Sequence, residues 1–326
     1  MSANPVEISR FELAPDLCGI KFTDTLDIDQ EAHRLYMGDN WSGGIDVFDI
    51  SSPAPDYLTT IRARAMRPSF YGVCFAKDVG KVFVAHGTSM VSVIDIDPSS
   101  PTEGKVVATL ETGGQQHADL IDYDPVHQKI YVANRNENFM TAIDAVNNRV
   151  TAKIEGLGGA LEQPRFNGAD RMVYLVSASD NVIHQIDPAT DRLVHTFEIG
   201  DDCNPNGLAI NPVTNKALLG CGNRERQHTI IWDLNQQRVE SRIDDCGCGD
   251  GAVYDPVVDR FLFAASGFSS GPVVGIFGGD PVKLQIMVPT QAGASWVAVD
   301  QTHRRVYAPA IEQGRPALIS FPLPDA

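Results

Sequence analysis

One short pattern recurs along the whole chain and restricts what it can fold into. Asp124-Pro125-Val126-His127-Gln128-Lys129-Ile130-Tyr131-Val132-Ala133-Asn134 reads as a strand end, a tight polar turn and a second strand. Asn211-Pro212-Val213-Thr214-Asn215-Lys216-Ala217-Leu218 is a second copy, and Asp255-Pro256-Val257-Val258-Asp259-Arg260-Phe261-Leu262 a third. Looser copies begin at Asp29, Ala76, Asn167 and Asp300. The seventh residue after each start is large and apolar: Tyr36, Phe83, Tyr131, Tyr174, Leu218, Leu262, Tyr307. Successive copies start 43 to 48 residues apart.

A period of about 40–50 residues with several short strands in each is the pattern of a β-propeller. Each unit buries only one face of a small sheet, so the units must stack radially. Seven copies predict an all-β, seven-bladed ring. The repeat runs from about Thr23 to the C-terminus without a linker, so residues 1–326 read as a single propeller domain. Hydrophobic residues make up 43% of the chain, enough for a packed core, and 28 Gly with 20 Pro suit many turns.

Tyr131-Val132-Ala133-Asn134 resembles the eponymous motif of the YVTN-type propeller repeat family. The resemblance covers nearly the whole chain and implies the fold. Function is a separate matter, because propellers host enzymes, binders and scaffolds.

Ring closure is legible at the termini. Val6 to Ala14 alternates apolar and polar residues like one strand without a partner in its own repeat. The last repeat supplies only three strand-like runs: Trp296–Val299, Arg305–Ala308 and Ala317–Phe321. An open seam would leave unpaired strand edges, so the N-terminal strand is expected to complete the last blade. Within a blade four strands are expected, the third often ending in Asp (Asp49, Asp95, Asp144, Asp187, Asp233). An Asp there can accept backbone N–H bonds of the following turn, so these aspartates read as structural.

A net charge of −16 argues against nucleic acid and anionic membranes as partners. Met1 to Glu7 lacks a basic region followed by an apolar run, and no stretch approaches the ~20 apolar residues of a membrane span. A cytoplasmic location is expected; the oligomeric state is left open.

The first strand of each blade lines the central channel, as the family resemblance implies, and the loops at one end crowd a ligand-binding face. Five residues before each repeat start lie Asp24, Tyr71, Asp119, Glu162, Asn206, Asp250 and Ser295. Carboxylates ~5 Å apart repel by roughly 3 kcal/mol at an effective dielectric of 20. Some must take up protons, or a cation must sit among them. Oxygen donors favour Ca²⁺ or Mg²⁺, with Zn²⁺ an alternative. The set Asp24, Asn206 and Asp250 resembles the ion site of gluconolactonase- and paraoxonase-type propeller lactonases, which implies a divalent cation there.

His86 and His117 are expected to face the ring, where His117 could serve as a general base beside Asp119 and Glu162. His33, His127 and His303 fall in the turns after first strands and read as solvent residues; His184 and His195 fall in outer strands, and His228 is left open. Asn134, Arg135, Asn136 and Arg224 could bind an anionic group, and Asn40, Trp41, Tyr71, Phe268 and Trp296 could supply apolar walls. Four of six cysteines fall between 203 and 248: Cys203, Cys221, Cys246 and Cys248. A zinc site, a disulfide and buried thiols all remain open for them; Cys18 and Cys74 read as core. No Gly-x-Ser-x-Gly elbow, phosphate loop or Rossmann fingerprint occurs, so hydride transfer on a dinucleotide is unsupported. The expected function is a metal-dependent, lactonase-like hydrolase of a small anionic or cyclic-ester substrate. A metal-assisted lyase with a His base and a non-catalytic propeller binding a small ligand or protein are the alternatives.

Overall fold

The computed structural model describes residues 6–12, 25–39, 44–62, 70–223, 225–312 and 315–324. They form seven antiparallel sheets of four strands, and six of the blades run in simple chain order from inner to outer strand. Blades 1 to 6 cover residues 26–62, 70–111, 121–155, 161–198, 205–243 and 250–289. The seventh is built from β26 (Ala298–Asp300), β27 (Arg305–Glu312), β28 (Arg315–Pro322) and, at its outer edge, β1 (Ser9–Glu12). Ser9 pairs with Ser320 and Phe11 with Leu318, so the N-terminal strand closes the ring as expected. Among the described residues the helical content is one 3₁₀ turn, Lys77–Val79.

Burial explains the strand composition. In β11 (Lys129–Asn134) five consecutive residues are buried, because neighbouring blades cover both faces. The outer strand β13 (Arg149–Glu155) is exposed along most of its length, with Ile154 buried. All seven large residues of the repeat, from Tyr36 to Tyr307, are buried. Each core cluster spans two blades: Phe83 and Val91 of blade 2 pack with Ile130 and Val132 of blade 3. Each such aliphatic or aromatic side chain contributes ~1.5–3 kcal/mol by leaving water.

The turn at the heart of the repeat has a physical cause. Asp124 Oδ1 accepts the backbone N–H groups of Val126 and His127, and Asp29, Asn211, Asp255 and Asp300 do the same in their copies. The fourth residue after each start is left-handed: His33, Gly80, Gln128, Arg171, Asn215, Asp259 and Arg304 all have φ of 50–66°. That conformation is costly for side-chain-bearing residues, and the paired side-chain acceptor holds it. The aspartates ending third strands also accept turn N–H groups, as with Asp49 and Ser51 or Asp144 and Val146. His127 and His303 are not free solvent residues: Nδ1 of each lies 2.7 Å from the carboxylate of its own turn's Asp. These turns gather on one end of the ring, the turn face; the channel mouth lies at the other.

Candidate functional site

At the mouth the first strands lose regular register. In β6 (Phe70–Ala76), β14 (Leu161–Asn167), β18 (Pro205–Asn211) and β22 (Asp250–Asp255) the pairing shifts within the first few residues. An extra residue in one strand re-aims the side chains there. Tyr71, Glu162, Asn206 and Asp250 all lie at these irregularities, which is why five residues before the repeat start is a channel position.

Arg135 organises the mouth. It leaves the end of β11, and its carbonyl accepts the N–H of Leu161, joining blades 3 and 4. Its guanidinium meets Glu162 in two contacts, Nη1–Oε2 at 2.9 Å and Nη2–Oε1 at 2.5 Å, and reaches Asp119 Oδ2 at 3.4 Å. The Glu162 and Asp119 side chains are 1% and 4% exposed, against 38% for Arg135. A fork-shaped cation thus takes up part of the charge that the ring of acids accumulates.

It does not take up all of it. Burial lifts the Asp119 carboxyl to about 7, with Arg135 pulling it down and the Asp250 charge pushing it up. Burial also raises Asp250, against the Gly251 N–H at 3.1 Å and the Arg135 charge. His117 stacks on Tyr71, ring centroids 4.7 Å apart, and burial followed by the Arg135 charge lowers its pKa. The mouth therefore combines a carboxyl that titrates near neutrality with an imidazole that is neutral at pH 7.

Below the mouth acids, Gln163 links the first strands of blades 4, 5 and 6. Fully buried, it accepts the N–H groups of Leu208 and Ala252 and donates to the Ala252 carbonyl at 2.8 Å. Beneath it lies a second charged ring, missed in the sequence reading. Arg165 donates to the Ala252 carbonyl and stands 3.5 Å from Asp122, whose carboxylate accepts the Phe166 N–H. Burial raises Asp122 and lifts Asp27 to about 7, in both cases against the Arg165 charge. The signal was available: Asp27, Asp122 and Arg165 each lie two residues before a repeat start.

Several expected site residues prove to be packing residues. His86 is fully buried, bonded to Ser92 Oγ at 3.0 Å, and its pKa is pushed down to about 4 by burial. Trp296 is 6% exposed and packs with Leu26, Met37 and Tyr307. Neither can line a binding site without unpacking the core. Asn134 accepts from Thr112 Oγ1 and donates to Thr141 Oγ1 inside the blade, so it is not an anion ligand. Asp24, Trp41, Arg224, Asn40 and Cys18 lie outside the described residues. Asn206 and Asp250 lie half-buried on adjacent first strands, which are joined by the Gly207 N–H to Gly249 carbonyl bond.

The four clustered cysteines separate. Cys203 and Cys221 form a disulfide; Cys246 and Cys248 are thiols, the first fully buried. While that bond stands, the four cannot act together as thiolate ligands, which corrects the four-cysteine zinc set. Cys74 is buried, and burial raises its thiol well above the ordinary range. A cavity of about 790 Å³ opens on the turn face between blades 1 and 2, where Lys77 is paired with Asp29 and Glu31.

The fold defines a seven-bladed propeller whose channel mouth gathers Asp119, Glu162, Asp250 and Arg135 at one end. Among solved structures it is similar to the hydrazine synthase of Kuenenia stuttgartiensis. The TM-score is 0.70 at 14% identity, over 90% of this chain and 94% of that one. At that identity the likeness shows the fold alone. No protein-family model and no curated protein matches the sequence.

Proposed function

We propose that the channel mouth is the active site of a small-molecule hydrolase, acting on a small ester or lactone with a divalent cation on its Asp250 side. The YVTN-like repeats and the lactonase-like placement of Asp24, Asn206 and Asp250 belong to this reading. One observation carries it: among the described residues, Asp119 and Glu162 share the guanidinium of Arg135, and Asp250 meets its charge without an ion pair, so two buried acids and a half-buried third crowd one cation. Asp250 and Asn206 offer carboxylate and amide oxygens from neighbouring strands, a donor set that suits a hard cation. Such an ion, when bound, polarises a carbonyl and acidifies water. Of the chain's own residues, Arg135 fixes the Glu162 and Asp119 carboxylates. His117, neutral at pH 7, takes a proton from the attacking water. Asp119, poised near pH 7, returns one to the leaving oxygen.

The burial of His86 and Trp296 favours the second reading, a non-catalytic propeller that binds a ligand, because it removes an expected ring-facing imidazole and an expected wall. A melting series with Ca²⁺, Mg²⁺, Mn²⁺, Zn²⁺ or chelator, on wild type, Asp250→Asn and Asn206→Ala, separates the two. The enzyme reading expects one ion per chain, a wild-type midpoint that rises with it, no rise in the variants, and lactone turnover lost on chelation. At a hundredfold excess over the dissociation constant the stabilisation is about 2.7 kcal/mol. No ion effect and no turnover would leave the binding module.

A further inference from the structure

A second cluster lies on the mouth side of blade 5, apart from the acids. Cys203 precedes β18, and Cys221 ends β19 (Lys216–Cys221), opposite Pro205. Their disulfide spans a Cα separation of 4.4 Å. His228 lies against it: a ring nitrogen and both sulfurs fall within 4.8 Å of one another, and all three residues are fully buried.

The hydrogen bonding of His228 identifies its free atom. Nδ1 lies 2.5 Å from the Arg226 carbonyl oxygen. A carbonyl only accepts, so Nδ1 carries the proton, and in the neutral ring Nε2 holds a lone pair. Nε2 is buried without a hydrogen-bond partner, and Asp201 Oδ2 stands 3.6 Å away. Asp201 Oδ2 already accepts from Arg242 Nη1 at 2.5 Å and is partly exposed, so the orphaned group is the buried imidazole nitrogen, whose lone pair has no partner. An imidazole fixed through one nitrogen to a backbone carbonyl, with the other left free to donate its lone pair, is the arrangement of metal-bound histidines.

We propose that Cys203, Cys221 and His228 form a redox-gated site for Zn²⁺, with Asp201 as fourth ligand. In the first step a dithiol delivers two electrons and two protons to the Cys203–Cys221 bond. The bond opens to two thiols, and the dithiol closes to its own disulfide. In the second step both thiols lose their protons to solvent, and the thiolates and Nε2 donate lone pairs to the ion. The sulfurs then part to about 3.8 Å, the separation set by Zn–S bonds of ~2.3 Å in a tetrahedron. Two sulfurs and an imidazole select Zn²⁺ over Ca²⁺ or Mg²⁺. Cys246 and Cys248 lie outside the group, and burial pushes the Cys246 thiol up to about 12, away from the thiolate. Disulfides persist in oxidising compartments and are rare in the cytoplasm. The gate therefore assigns each state of the site to one environment.

Co²⁺ is the probe. The chain is reduced with dithiothreitol under argon, refolded with Co²⁺ and desalted, alongside an air-oxidised sample. The reduced protein is expected to hold one Co²⁺ more than the oxidised protein, with a thiolate-to-cobalt charge-transfer band and the visible bands of a tetrahedral ion. The oxidised protein shows neither band, whatever cobalt its acidic channel mouth retains. His228→Asn, which keeps a donor for the Arg226 carbonyl, weakens binding at least tenfold. Cys246→Ser with Cys248→Ser leaves it unchanged. Far-UV circular dichroism confirms that each sample is folded. Folded, reduced protein with no more cobalt than the oxidised sample overturns the proposal. So does binding that survives His228→Asn but vanishes in the double serine variant, which would restore the four-cysteine set.

Discussion

The two ends of the channel are made by the same seven pairs of strands and obey opposite rules. On the turn face every copy does the same thing: a left-handed fourth residue and, in most copies, an Asp or Asn accepting turn N–H groups. Asp29 and Asp144 there are held ionised. Asp29 lies below the ordinary carboxylate range: burial opposes this, but Lys77 and the turn N–H groups outweigh it. Asp144 is lowered by Asn147 and the turn backbone. At the mouth the described blades differ in the groups they place, and Asp119 and Asp250 are raised by burial. Repetition marks where the chain satisfies the fold, and departure from it marks where charge is tolerated for another purpose.

Removing the guanidinium should expose this contrast most sharply. Arg135→Met leaves Glu162 and Asp119 buried without their cation, a loss of about 3 kcal/mol, the low end for a broken buried pair because Arg135 is partly exposed. Chemical denaturation at pH 7 reads it, and a variant as stable as wild type would mean the mouth acids need no compensation. Asp124→Ala, on the turn face, strands two backbone N–H groups and the His127 ring. A loss of about 1–3 kcal/mol is expected, at both pH 5 and pH 8. A loss confined to one of those pH values would erase the distinction between the ends.

The pH response should have opposite signs. A carboxyl raised to about 7 keeps a proton that the unfolded chain has already released above pH ~4, so stability falls as pH climbs from ~4 through 7. The lowered turn-face acids contribute stability above ~pH 4 and lose it only as pH falls below that. Melting points should therefore be higher at pH 6.5 than at pH 8, a window above the titration of the lowered histidines His86 and His117. Asp119→Asn should flatten that slope, with a gain at pH 8 on the order of 1 kcal/mol. A steeper slope in the variant would show that the Arg135 pairing, not burial, governs Asp119. The smallest effect belongs to Val213→Ser, 85% exposed in a turn. It should move stability by less than about 0.5 kcal/mol, and a larger shift would mean that this turn touches a partner in solution.

The same contrast explains what could be read in advance. Tyr131 and its six counterparts repeat at fixed spacing because each fills the gap between blades, so the ring, its blade number and its closure were legible. Tyr71, Asp119, Glu162 and Asp250 were found because the register fixes which residues face the channel. The sorting of side chains between wall and core was not legible, since His86 and Trp296 differ from true mouth residues only in what packs over them. Arg135 was seen as an anion ligand because its partners, Asp119 and Glu162, are distant in sequence and become neighbours only across two blades. The pairing of Cys203 with Cys221 was likewise undetermined until β18 and β19 stood side by side.

The closing strand sets the order of events during folding. Arg305 reaches Ser9 Oγ across 296 positions of chain. β1 pairs with β28, so it finds its partner only after the six intervening blades have been made. Closing a loop of that length costs on the order of 5 kcal/mol in chain entropy, and contacts between distant parts of a sequence form slowly. Until blade 7 is complete, the growing stack of blades therefore carries two unsealed sheet edges, and that completion is the single event that removes both.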